Sequence, residues 1–129
     1  MVFKVYSTAD GSTSVRYTIT GALNIEEPFK APITDISVLA KAPTLLRLDR
    51  VFFAFEKGLR ASLHWEDDSE TLILPLEDRG FFSFEDYFGG WSNPVNPGCT
   101  GNILLQVLGA NAERTWLFAL KIELAKQNR

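Results

Sequence analysis

From Leu59 to Glu66 every second residue is apolar: Leu59, Ala61, Leu63 and Trp65 alternate with Arg60, Ser62, His64 and Glu66. A period of two sets one row of side chains against a core and the other in solvent, the pattern of a half-buried antiparallel strand. The pattern returns in run after run along the chain. Near the C-terminus Trp116, Phe118, Leu120, Ile122 and Leu124 share one side, with Lys121 and Glu123 on the other. No helical stretch is long enough for the crossovers that a parallel sheet requires, so an all-β fold with minimal helix is expected.

The breaks between runs define the expected elements. Val2 to Tyr6 alternates, and Ser7 to Ser12 supplies a turn in which Asp10-Gly11 is the chemical signal for a hairpin. Thr13 to Thr20 follows, closed by Gly21. Pro28 and Pro32 interrupt any ladder between Ala22 and Pro32, where Asn24 to Glu27 is expected to make one helical turn. Ile33 to Ala40 reads as extended. Thr44 to Glu56 is the longest β-prone run, and Val51 to Phe55, apolar throughout, points to a central strand covered on both faces. Turns at Lys57-Gly58 and Asp67-Asp68-Ser69 lead into Leu59 to Glu66 and Thr71 to Leu76, giving a three-stranded meander. Asp78-Arg79-Gly80 turns into Phe81 to Phe84, Phe88 to Gly98 is the longest loop, and Ile103 to Leu108 is expected to pair with Arg114 to Leu124. About eight or nine short strands with regular turn signals predict an antiparallel two-sheet β-sandwich, jelly-roll-like, with a closed barrel as the alternative.

The 129 residues, 46% of them hydrophobic and 10 of them Phe, suit one domain over residues 1–129 with a single core. A net charge of −3 offers no basic footprint for a polyphosphate backbone, so nucleic acid is not expected as a partner. One Cys forms no internal disulfide, which fits an intracellular folding environment. The start, Met-Val-Phe-Lys-Val-Tyr, lacks an apolar leader segment and no run reaches bilayer length; an unprocessed chain without a membrane partner is expected.

Chemistry-bearing groups are sparse. Glu66-Asp67-Asp68-Ser69-Glu70 has oxygens enough for a hard cation, but consecutive residues converge poorly on one ion and Asp-Asp-Ser is ordinary hairpin chemistry. His64 points away from Trp65 and has no nucleophile within a linear motif, and Cys99 lies in a Pro-Gly-Cys-Thr-Gly loop with nothing basic nearby to activate it. No catalytic residue, cofactor site or metal site is therefore assigned. Tyr87, Phe88 and Trp91 stand apart, because Gly89-Gly90 and Asn93-Pro94-Val95-Asn96-Pro97 set large rings on or near a loop. They read either as a contact surface or as a lid folded over one end of the sandwich. Val2 and Phe3, on a terminal strand with a free side, are further candidates for partner contact by edge pairing.

Leu48-Asp49-Arg50-Val51, Leu63-His64-Trp65, Arg79-Gly80-Phe81, Phe88-Gly89-Gly90-Trp91-Ser92-Asn93-Pro94 and Thr100-Gly101-Asn102-Ile103-Leu104-Leu105, taken in order, resemble the capsid decoration or cement proteins encoded among the head genes of tailed bacteriophages. The resemblance covers about the last two thirds of the chain as an order of Gly-centred turns and strands. It implies a jelly-roll-like sandwich, made in the host cytoplasm and carried on the virion surface. There it would bridge neighbouring subunits of the major capsid protein and reinforce the shell, with no catalysis. Self-association into a dimer or trimer would hide apolar patches such as Phe81 and Phe82. The competing expectation is a carbohydrate-binding module, of a tail fibre or attached to a glycosidase, that stacks sugars on Trp91 and Tyr87.

Overall fold

A computed structural model describes residues 2–128, excepting the side chains of residues 2–6 and of Tyr87. Ten strands follow one another: β1 (Val2–Asp10), β2 (Ser14–Leu23), β3 (Phe29–Pro32), β4 (Leu45–Phe55), β5 (Arg60–Trp65), β6 (Leu72–Glu77), β7 (Arg79–Ser83), β8 (Trp91–Ser92), β9 (Ile103–Leu108) and β10 (Trp116–Gln127). A five-residue helix, α1 (Phe84–Phe88), joins β7 to β8. One sheet runs β1-β2-β10-β4-β7, with β8 also on β4; the other runs β3-β9-β5-β6. Every ladder is antiparallel.

The pairings are nested. Setting β1 and β8 aside, β2 pairs with β10, β3 with β9, β4 with β7 and β5 with β6, so the chain forms one long hairpin. Rolling that hairpin brings β10 against β4 and β9 against β5, which yields two four-stranded sheets face to face. This is the jelly roll. The inward rows expected from the alternation form the core: Val15, Tyr17 and Ile19 of β2, Phe118, Leu120 and Ile122 of β10, and, from the facing sheet, Leu63 and Trp65 of β5 and Ile103, Leu105 and Val107 of β9.

Two expected neighbourhoods are corrected. β4, β5 and β6 are not a meander, because β4 lies in the opposite sheet and only β5 and β6 form a hairpin. Likewise β9 and β10 do not pair; their connection crosses between the sheets. The β4–β5 and β9–β10 crossings meet at Gly58 and Gly109, where a Cβ on Gly109 would lie 2.4 Å from the Gly58 carbonyl oxygen. Amphipathic alternation is the same for a hairpin and for a crossover, so it does not name the sheet.

β4 is central in its sheet but covered on one face only, since Arg50, Phe52 and Ala54 face outward without a second layer. A bulge explains the two-sided appearance. Glu123 pairs with Arg50 and Leu124 with Leu48, leaving Asp49 unmatched and shifting the inward set from Leu46 and Leu48 to Val51, Phe53 and Phe55.

The other departures are local. Ile33 to Ala40 is not extended: Ile36–Val38 is a 3-10 turn capped by Asp35, and the buried residues Ile33, Ile36 and Leu39 recur every third position. Asn102 Oδ1 fixes this segment by accepting from the Ile36 N–H and the Thr34 hydroxyl, both at 2.9 Å. Asn24 to Glu27 makes no helical turn, and Pro32 is the last residue of β3, which is tolerated because β3 is an edge strand. Gly21 and Gly80 are strand residues rather than breaks. Each faces a phenylalanine in register, Phe118 and Phe53, whose rings occupy the space where a Cβ would stand.

The Asp10-Gly11 hairpin forms as expected, with the Gly11 N–H donating to the Ser14 carbonyl at 2.9 Å. Lys126 anchors it. Its side chain, only 5% exposed, donates to the Asp10 carboxylate, to the Gly11 carbonyl at 2.5 Å and to the Ala40 carbonyl at 2.8 Å. The Ala40 N–H in turn donates to Asp10 at 2.8 Å. The last strand thereby ties the first hairpin to the loop before β4.

Candidate functional site

The aromatic residues that the sequence placed in a loop are carried by α1 and β8. After β7, Ser83 Oγ donates to the Asp86 carboxylate at 2.6 Å, and α1 ends at Gly89, which is left-handed with φ 71°. Gly90, with φ 99°, lies against the Arg47–Asp49 ion pair; a Cβ there would stand 2.3 Å from Arg47 Nε. That pair is bidentate, at 2.7 and 3.1 Å, and Asp49 is the bulge residue of β4. The bulge therefore supplies the seat on which the glycines rest. From it Trp91 enters register with Leu48, and Ser92 with Arg47.

A chain of rings leads from the core to this corner. Phe53 stacks on Phe82 with centroids 5.9 Å apart, Phe82 on Phe84 at 6.0 Å, and the Phe84 ring meets Trp91 edge-on at 5.2 Å. Phe84 is buried, yet Phe82 is 43% and Trp91 38% exposed, and Phe88 beyond them is 77% exposed. On the outer face of the same sheet Phe81, 51% exposed, packs on Phe52 at 4.5 Å, with the Lys121 ammonium 4.0 Å from the Phe52 ring centroid. An exposed aromatic strip thus runs along β7, α1 and β8.

Of the residues singled out from sequence, Phe88 and Trp91 meet at this corner; the Tyr87 side chain lies outside the described residues. Trp91 packs against buried Phe84 while staying 38% exposed, whereas Phe88 is 77% exposed. Val2 and Phe3 are not part of the corner, because β1 and β7 end the sheet at opposite edges. Their backbone pairs with Leu23 and Ala22 within the molecule, and their side chains lie outside the described ones. Sequence reasoning missed Phe84 as the buried link of the ring chain. Three phenylalanines among Phe81-Phe82-Ser83-Phe84 were the available signal, since successive strand residues point to opposite faces.

The groups with chemical potential are engaged inside the fold. Asp67 Oδ1 accepts from the Ser69 and Thr71 N–H groups at 3.1 and 3.0 Å, and Oδ2 from the Thr71 hydroxyl at 2.8 Å and Asn96 Nδ2 at 3.3 Å. Burial pushes its pKa up, and these four hydrogen bonds outweigh that and hold it below the usual carboxylate value. His64 Nδ1 lies 2.8 Å from the Glu70 carbonyl and Nε2 2.8 Å from the Ser62 hydroxyl. Nδ1 donates to that carbonyl and Nε2 bonds to the Ser62 hydroxyl, so the half-buried ring braces the turn rather than facing bulk solvent. Cys99 Sγ lies 3.5 Å from Asn93 Oδ1, which also accepts from the Val95 N–H at 3.0 Å.

A broad charged groove crosses the outer face of the first sheet, where Arg16, Glu123 and Arg50 are neighbours in register. Arg50 bridges Glu85 at 3.1 Å and Glu123 at 3.2 Å, so opposite charges alternate and no single-sign field results. Among the described residues no three His, Cys, Asp or Glu side chains are grouped to hold a metal ion. No protein-family model matches the chain, and no curated protein matches it.

Proposed function

We propose that this jelly roll is a virion structural protein that adheres to the outside of a phage capsid lattice and bridges neighbouring major capsid subunits. The observation that carries the reading is the exposed aromatic corner: Phe88 stands open at the end of α1, and Trp91 on a short strand paired with β4 beside the Arg47–Asp49 pair. Large exposed rings are efficient anchors for another protein surface. A lattice repeats the same contact many times, so that a weak single contact becomes collectively strong. The adhesive role asks nothing of His64, Cys99 or Asp67 beyond the turn bonds they make, and it is the resemblance to decoration proteins that names a capsid as the surface.

Mass spectrometry of purified tailed-phage virions tests the assignment. The chain is expected at a copy number comparable with the major shell subunit, and its absence from the particles defeats the reading. In a binding assay the purified protein is expected to cosediment with undecorated capsids, and Phe88→Ser together with Trp91→Ala to lose that binding. A shift of tryptophan fluorescence on titration with polysaccharide that Trp91→Ala abolishes, with no capsid binding, would instead favour the carbohydrate-binding alternative.

A further inference from the structure

The first sheet ends at β7, and the facing sheet ends at β6 on the same side, because the two strands are consecutive and joined by Asp78 alone. An open strand edge is a template for pairing, and folded proteins guard such edges with proline, charge or brevity. β6 carries Pro75 and β3 ends in Pro32, while β1 carries Lys4 and Asp10. β7 reads Arg-Gly-Phe-Phe-Ser and has a single charge, at its first residue. Phe82 faces the sheet interior beside Val51, yet it is 43% exposed because nothing described lies beyond it. Phe81 is open on the outer face.

We infer that β7 pairs antiparallel with β7 of a second copy of the chain, across a two-fold axis perpendicular to the sheet, making one continuous sheet through the dimer. The charge order along the strand fits a copy of itself. Arg79 stands at one end, and Glu85 and Asp86 follow at the other, on α1. An antiparallel two-fold sets each Arg79 opposite Ser83 of the other copy when Phe81 lies on the axis and opposite Glu85 when Phe82 does, and Glu85, though bridged to Arg50, is still exposed there. Glu77 and Asp78, which precede Arg79, belong to β6 and the crossover; Glu77 is already in register with Arg60. The same pairing brings the two Phe82 rings together on the inner face and the two Phe81 rings together on the outer face, covering part of the ring surface that a lone sandwich leaves open. It goes beyond the capsid reading, because it holds for the isolated protein. A dimer of this kind would also carry two Phe88–Trp91 corners.

Sedimentation equilibrium of the purified full chain over a wide concentration range reads the association. The wild-type protein is expected to be a dimer at micromolar concentration. Phe81→Lys, which charges the open edge and sets an ammonium of each copy beside the other across the seam, is expected to be monomeric throughout. Arg79→Glu, a surface change away from the core, should raise the dissociation constant about ten-fold or more by opposing like charges. Circular dichroism melting accompanies each variant to show that it is folded. A wild-type protein that stays monomeric overturns the inference and leaves the edge to a foreign strand. So does a trimer or an open-ended assembly, or a dimer that neither substitution weakens.

Discussion

Gly21 has no side chain, and Phe118 uses the vacancy. Its ring lies across the β2 backbone and stacks on Phe55 at 5.4 Å, buried in the core. A methyl group at position 21 would stand 2.2 Å from Phe118 Cε1, so Gly21→Ala must drive a packed ring off its rotamer. We expect a loss of about 1–3 kcal/mol, measured by urea unfolding; an unchanged midpoint would show that the ring moves freely. Asp10 offers a second test. Hydrogen bonds from Lys126 and from the Ala40 N–H, with the attraction of the ammonium, keep its carboxyl below the usual carboxylate value against a small opposing effect of burial. A group whose folded pKa is lowered contributes stability that is complete above its unfolded value, about 3.9, and is lost as pH falls through the folded one. The melting temperature of the wild-type protein is therefore expected to drop as pH goes from about 5 to about 2. Asp10→Asn should reduce that drop, and adding Asp67→Asn, whose carboxyl is shifted the same way, should reduce it further. Neither the Lys126 clasp nor the Gly21 packing was legible in sequence. Residues 116 positions apart in the case of Asp10 and Lys126 carry no local trace of their meeting.

At the scale of elements, single residues decide where the chain changes sheet. Between β6 and β7 the whole crossover is Asp78, held at φ 58° with its carbonyl accepting from the Phe55 N–H at 2.5 Å. Left-handed backbone costs an ordinary side chain about 1–2 kcal/mol, less for Asp, and nothing for Gly. Asp78→Val is expected to destabilise by about that amount, whereas Asp78→Gly should be neutral or better; equal effects of the two would show that this conformation stores no strain. Alternation of apolar residues made β2, β5 and β10 readable because each buries one face. β3 was hidden by Pro28 just before it and Pro32 at its end, which an edge strand accepts, and the Ile33, Ile36 and Leu39 spacing was a period of three read as two. The aromatic corner was half readable: the Phe88-to-Trp91 segment stood out by composition, but its support, the Arg47–Asp49 pair at a bulge, depends on a register that no sequence window contains.

For the whole molecule, the jelly roll makes β10 indispensable and β1 peripheral. β10 lies between β2 and β4 and supplies Phe118, Leu120, Ile122 and Leu124 to the core, so Leu120→Ala is expected to cost about 2–5 kcal/mol. β1 stands outside the nested hairpin and pairs with β2 alone. A chain lacking residues 1–9 should still melt cooperatively, at a lower temperature, in near-ultraviolet circular dichroism; loss of the transition would show that β1 belongs to the cooperative unit. The fold class was legible because alternation, turn residues and length agree, but the assignment of strands to sheets was not, since nested pairing joins segments as distant as β2 and β10. The shielding of Lys126 gives that corner a chemical handle. With its amine enclosed by Asp10, Gly11 and Ala40, acylating reagents should modify this lysine last, and the rate at which it gains the label becomes a clock for the lifting of the first hairpin from the last strand.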